Sequence, residues 1–122
     1  MNRPIHFEIL GNDPQAIADF YSAVFGWEVA SPPGPEKYWL ATTGAAATPG
    51  IDGGIMHRHF EQPVINTIAV ASLEDTIARI EAAGGSRVHG PNEIPDIGLH
   101  AYCADPEGIL FGVLQPPASE AG

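Results

Sequence analysis

A chain of 122 residues fits one domain and leaves no room for a second independent core. Its formal charge of −10 excludes a nucleic-acid partner, whose phosphates need clustered Lys and Arg, and no apolar run approaches the length of a membrane span. The single cysteine, Cys103, excludes an internal disulfide and points to a reducing compartment, read as the cytoplasm; Met1-Asn2-Arg3-Pro4-Ile5-His6 does not read as a signal peptide, since no apolar run follows the arginine.

Residues 6–13 alternate as a strand, with Phe7 and Ile9 on one face and His6 and Glu8 on the other. Asp13-Pro14 is a helix start, an N-cap acid followed by proline at the first helical position. Ile17, Phe20, Val24 and Phe25 form an apolar helix face, and Gly26 is its left-handed stop. Extended structure resumes at Trp27-Glu28-Val29-Ala30, and Pro32-Pro33-Gly34-Pro35 reads as a surface turn. Strands are predicted over 37–43 and 51–58, joined by a loop of small residues. The first of these strands directs either Tyr38 or Trp39 to the His6 face.

The pattern then repeats. Ile68 and Val70 alternate as a strand, Ser72 caps a second helix with Asp75 three residues on, and Leu73, Ile77 and Ile80 form its apolar stripe. Gly84-Gly85 ends that helix, Arg87-Val88-His89 resumes a strand, and Gly90-Pro91 reads as a turn. Strands over 99–104 and 109–115 flank the hairpin sequence Asp105-Pro106-Glu107-Gly108. One 59-residue offset separates His6 from Ile65 and Gly26 from Gly85, the mark of an internal duplication. The predicted fold is α+β: two tandem β-α-β-β-β modules, about 4–59 and 64–116, forming an open, cupped mixed sheet with helices on its outer face, and a frayed tail over 117–122. Residues in phase with His6 and Glu8 would line the trough.

Phe20-Tyr21 and Phe25-Gly26-Trp27-Glu28 resemble the first-module signature of the vicinal oxygen chelate superfamily. The run Asp105-Pro106-Glu107-Gly108-Ile109-Leu110-Phe111-Gly112 resembles its final hairpin. The likeness spans about residues 4–116. That superfamily includes glyoxalase I, extradiol dioxygenases, fosfomycin-resistance transferases, epimerases and bleomycin-sequestering proteins, so the resemblance implies fold more firmly than activity. It also implies a divalent metal held by His or Glu from the first and last strand of each module. Carried over position by position, those slots fall on His6, Ile65, Gly112 and a position at or beside Gly54, and one of the four can coordinate.

The resulting expectation is a homodimeric, glyoxalase- or bleomycin-resistance-like protein that binds a small organic ligand without the usual metal. His6, Glu8, Met56, Arg58, His100 and Tyr102 would line the ligand site. The rival is a metal-dependent lyase, isomerase or dioxygenase in which His6, Glu8 and His100 hold zinc, iron, manganese or nickel. Metal-free acid–base catalysis by His6 and Glu8 is a third reading, and a partner-binding module a fourth. His57, His59 and His89 read as surface residues, and Cys103 as a small core residue rather than a nucleophile.

Overall fold

The computed structural model describes residues 1–31 and 37–117. The turn expected at Pro32-Pro33-Gly34-Pro35 lies outside the described residues, as does the tail beyond Pro117. Two compact units emerge, one spanning His6–Ile65 and the other Met1–Ile5 with the chain from Asn66 onward.

The first module runs β1 (Arg3–Gly11), α1 (Pro14–Phe25), β2 (Glu28–Ala30), β3 (Tyr38–Thr42) and β4 (Asp52–His57). The second runs β5 (Val64–Ala69), α2 (Leu73–Ala82), β6 (Ser86–Ile94), β7 (Gly98–Ala104) and β8 (Leu110–Gln115). The fold is α+β, and the β-α-β-β-β order occurs twice as expected. Within the first module the strands lie in the order β2-β3-β4-β1, and within the second β6-β7-β8-β5. The first and last strands of each module pair parallel, and the others antiparallel. The helices start at Pro14 and Leu73, the same 59-residue offset read in the sequence.

Capping chemistry sets both helix starts. The Asp13 side chain accepts from the Ala16 backbone N–H, and the Ser72 hydroxyl accepts from that of Asp75. Gly26, at φ 74°, closes α1 in the left-handed conformation that side chains other than glycine resist. At the last hairpin, Asp105 Oδ1 accepts from the backbone N–H groups of Glu107 and Ile109, pinning the turn between β7 and β8.

The second module has the core that its pattern predicts. Val70, Leu73, Ala101, Cys103 and Val113 are buried together, and Ile68, Ile77, Ile80 and Phe111 pack around them. Burial pushes the Cys103 thiol pKa up, which suits a core residue and not a nucleophile.

The first module departs from expectation. Phe20, Val24 and Phe25, read as the inward face of α1, are 56, 55 and 62 % exposed. Pro14 and Ala18 are buried instead, with Ile17 and Tyr21 half-buried. The reason is the chain reversal at Gly26, which lays Trp27 against Tyr21 with ring centroids 4.7 Å apart and nearly parallel, and against Phe7 at 5.5 Å. Trp27 thereby covers the sheet-facing end of the helix and turns the stripe to the phase of residues 14, 18 and 21.

Gly90-Pro91 is also corrected. It lies inside β6 rather than in a turn, at a point where the register against β7 slips between Arg87 and Asn92. β6 is an edge strand, where proline is tolerated, and Pro91 falls in the stretch between His89 and Asn92 where the ladder to β7 is interrupted.

Candidate functional site

Alternation along β1 points Phe7 and Ile9 toward α1 and presents His6 and Glu8 on the opposite face. Register then places their neighbours: His6 lies beside Asp52, Glu8 beside Gly54, and Leu10 beside Met56. On the other flank of β4, Tyr38 pairs with Met56 and Leu40 with Gly54. Of the two candidates on β3, Tyr38 takes the His6 face, while Trp39 turns to the helix and donates its indole N–H to Gln15 Oε1 at 3.1 Å.

Tyr38 organises this face. Its hydroxyl donates to Glu8 Oε2 at 3.1 Å and lies 2.7 Å from His6 Nε2. A phenol has one proton, so with that proton on the carboxylate the imidazole Nε2–H is the donor in the second contact. The relay therefore runs from His6 through Tyr38 to Glu8, and the His6 and Tyr38 rings lie 11° from parallel. Among the described residues, His6 Nδ1 has no hydrogen-bond partner, and no unsatisfied buried side-chain nitrogen or oxygen is left, so Nδ1 is the solvent-reachable end of the relay. Burial lowers the His6 pKa, opposed by the nearby charges of Glu8 and Asp52, which favours the neutral ring. Glu8 is only 6 % exposed, a buried carboxylate on the side of the sheet away from α1.

Gly54 makes the relay sterically feasible. A Cβ there would fall inside the Tyr38 phenol, so the ring crosses the sheet only because β4 has no side chain at that point.

The second module repeats the device with other chemistry. Thr67 stands where Glu8 does, beside Gly112 in parallel register, and is buried. His100 stands where Tyr38 does, two pairs along from the glycine. A Cβ on Gly112 would come within 2.8 Å of Thr67 Oγ1 and 2.9 Å of His100 Nε2. The His100 ring meets Tyr102 edge-on, with centroids 4.6 Å apart, and Tyr102 is buried. Ile65, the counterpart of His6, is fully buried.

Among the residues expected at the site, His6, Glu8 and Met56 share one face of the first module, and His100 and Tyr102 share one face of the second. Arg58 lies just past β4, exposed, with Nη1 donating to the Glu61 carbonyl at 2.7 Å. His57, His59 and His89 are exposed. Sequence reading missed the bridging role of Tyr38 and overlooked Thr67, although the 59-residue offset from Glu8 leads straight to the latter.

The metal arrangement of the wider superfamily does not fit the first module. Its last-strand ligand position falls at or beside Gly54, the space above that glycine is filled by Tyr38, and that same hydroxyl engages both His6 Nε2 and Glu8. Among the described residues, no three His, Cys, Asp or Glu side chains are grouped to hold a metal ion.

Residues 7–114 match the family described as the glyoxalase-like domain. The chain belongs to that family. This glyoxalase-like chain is 32 % identical over 119 residues to CFP32 of Mycobacterium bovis, a protein that carries the name of a glyoxylase; the match covers 89 % of this chain and 42 % of that one. It is also 32 % identical over 126 residues to the anthracycline biosynthesis protein DauV of a Streptomyces species, covering 90 % and 46 %. The glyoxalase-like chain thus spans less than half the length of these curated relatives. Among solved structures it is similar to methylmalonyl-CoA epimerase from Mycobacterium tuberculosis, with a TM-score of 0.69 at 13 % identity, covering 97 % of this chain and 90 % of that one. A methylmalonyl-CoA epimerase in complex with methylmalonyl-CoA and ammonium gives 0.70 at 16 %, covering 97 % and 96 %. At such identities the likeness is one of fold. No helix among the described residues is long and apolar enough to cross a membrane.

Proposed function

We propose that this glyoxalase-like domain binds a small organic ligand on the sheet face that carries His6, Tyr38 and Glu8, without the divalent ion typical of the wider superfamily. The observation that carries the reading is the Tyr38 hydroxyl bridging His6 and Glu8 above Gly54. Placing a carboxylate and an imidazole where water is largely excluded costs desolvation and contributes nothing to the helix-side core. A ligand face explains the expense: apolar walls from Tyr38 and Met56, with a few fixed polar groups to set orientation. His100 and Tyr102 serve the counterpart face of the second module, and Arg58 stands at the rim of the first. A solved relative by fold holds a CoA ester, which is in keeping with an organic ligand.

A second reading follows from the open Nδ1 of His6: a neutral imidazole held by a relay can take a proton from a bound substrate, so the same face supports metal-free acid–base catalysis. The two readings separate on one variant. Under catalysis, His6→Ala abolishes turnover and leaves ligand affinity nearly intact; under sequestration, affinity itself falls.

Two further features belong to this proposal. Phe20, Val24 and Phe25 leave an apolar strip exposed on α1, the kind of surface that a second copy of the chain covers in a homodimer. A lone, buried Cys103 suits a reducing cytoplasm. The deciding experiment is native mass spectrometry of the purified protein, followed by calorimetry with whatever organic molecule is carried through. Retention of a ligand that Tyr38→Phe releases supports the reading. Tight binding of zinc, iron, manganese or nickel, lost in His6→Ala, overturns its metal-free part.

A further inference from the structure

We infer that the second module carries a small-molecule site of its own on the helix side of its sheet, a groove at the start of α2 that takes a planar aromatic carboxylate. The groove is separate from the face that carries His100 and Tyr102. Leu99 and Gln115, which line it, pair across β7 and β8 in the alternate phase, the one that faces α2.

Its volume is about 670 Å³, inside the range of about 300–1,000 Å³ usual for small-molecule pockets. α2 contributes Leu73 and Ile77 to its lining, β7 and β8 contribute Leu99 and Gln115, and β6 contributes Pro91 and Arg87.

The internal duplication shows what this space can hold. On β3, Trp39 pairs with Ile55, one residue past Gly54; on β7, Ala101 pairs with Val113, one residue past Gly112. Gln15 and Glu74 are likewise equivalent, each the second residue of its helix. In the first module the Trp39 indole reaches from the sheet to the helix start and donates to Gln15 Oε1 at 3.1 Å. In the second module a methyl group stands in place of the indole, and the helix start borders an open groove lined by Glu74. A flat aromatic ring is therefore the shape for which this architecture already has a place.

A second exchange sets the charge. Val29 pairs with Ala41 in the first module and Arg87 with Cys103 in the second, so a half-buried valine is answered by a cation on the groove. Arg87 Nη1 donates to the Gly90 carbonyl at 2.6 Å, which anchors one side of the guanidinium. Its Nε–Nη2 edge has no partner among the described residues, and that edge matches a carboxylate with two parallel hydrogen bonds. Gln115 adds a neutral donor: its Oε1 accepts from the Leu73 N–H at 2.8 Å, which leaves the Nε2 hydrogens for a ligand. Glu74 is the one acid among the lining residues, and it is exposed, so water and salt screen its repulsion.

Three probes test the inference in the full chain near neutral pH: 2-naphthoate, its neutral amide 2-naphthamide, and cyclohexanecarboxylate, an acid without a flat ring. Binding is followed by heteronuclear NMR of the backbone amides and arginine side chains. The expected result is that 2-naphthoate shifts Glu74, Arg87 and Leu99 and binds about tenfold more tightly than either of the others. Arg87→Met keeps the aliphatic stem and removes the charge, so naphthoate should fall to the affinity of the amide. Glu74→Gln, which gives α2 the residue type that α1 has there, should tighten naphthoate and leave the amide unchanged.

An amide or a non-planar acid that binds as tightly as naphthoate overturns the inference. An unchanged affinity in Arg87→Met, weaker naphthoate binding in Glu74→Gln, or shifts that avoid the groove also overturn it. So does a groove that accepts naphthoate only once residues 118–122 are removed, or whose resonances move on dilution without probe, since its occupant is then the chain's own end or a second copy. None of these outcomes bears on the His6 face, whose own test reads at His6 and Tyr38.

Discussion

Replacing Gly54 with alanine should act through Tyr38 rather than through β4 itself. The new methyl group would occupy the space of the phenol ring, and the ring is the movable partner. It can swing away only by giving up its bond to Glu8 Oε2 and its contact with His6 Nε2. Loss of a hydrogen bond to a carboxylate that is 6 % exposed costs about 1–3 kcal/mol. Local overpacking adds about 1 kcal/mol. The total is about 2–4 kcal/mol, which for a domain of this length lowers the melting temperature by about 8–16 °C. The assay is thermal melting followed by circular dichroism, run as a double-mutant cycle with Tyr38→Ala. Where the ring has already been removed, Gly54→Ala should cost less than about 1 kcal/mol, because the three atoms nearest the added methyl all belong to the Tyr38 ring. A cycle in which the two losses simply add, or a Gly54→Ala protein that melts like the wild type, would refute the claim that the glycine exists to admit the tyrosine.

Other outcomes follow from the same geometry. Tyr38→Phe keeps the ring and removes the bridge, so it should lower stability by about 1–3 kcal/mol in urea titration with little change in slope. The His6 pKa is lowered in the folded state by burial, so as pH falls through the ordinary histidine range the unfolded chain takes up the proton first. His6 therefore contributes its stability above that range, and the contribution declines on acidification toward the lowered folded value. Comparing urea midpoints of wild type and His6→Gln near pH 5 and pH 7.5 should show the variant losing less on acidification; a larger loss in the variant contradicts the assignment. Asp13→Ala removes the acceptor for the Ala16 N–H at the start of α1 and should cost about 1 kcal/mol by melting. Gly112→Ala should be milder than Gly54→Ala, since the nearest atoms its methyl group meets are Thr67 Oγ1 and His100 Nε2 at 2.8 and 2.9 Å, whereas at Gly54 the methyl group falls inside the Tyr38 ring. An equal or larger loss at Gly112 would undo that ranking.

Local chemistry made much of the architecture legible. Asp13-Pro14, Ser72 and Gly26 carry their conformational instructions in their own side chains, or in the lack of one, and each acts in the structure as its residue type dictates. The duplication was equally plain, because an offset is a property of spacing and needs no contacts. What failed was the inward face of α1: helical periodicity offers several apolar stripes, and only the stacking of Trp27 on Tyr21 after the reversal selects among them. Gly90-Pro91 was misread for a related reason, since whether a strand tolerates a proline depends on whether it lies at an edge of the sheet.

The site divides along the same line. Strand alternation by itself put His6 and Glu8 on one face and narrowed the next strand to Tyr38 or Trp39. The sequence also showed a glycine in the last strand of each module. It could not show that those glycines exist to let a neighbour's side chain cross the sheet, because that depends on the register of β3 against β4 and of β7 against β8. A strand's own residues determine which way its side chains point, while the ångström-scale offset between strands, settled by the packing of the whole module, determines which of them meet. Tyr38 became the hinge of the candidate site only through that second, tertiary decision.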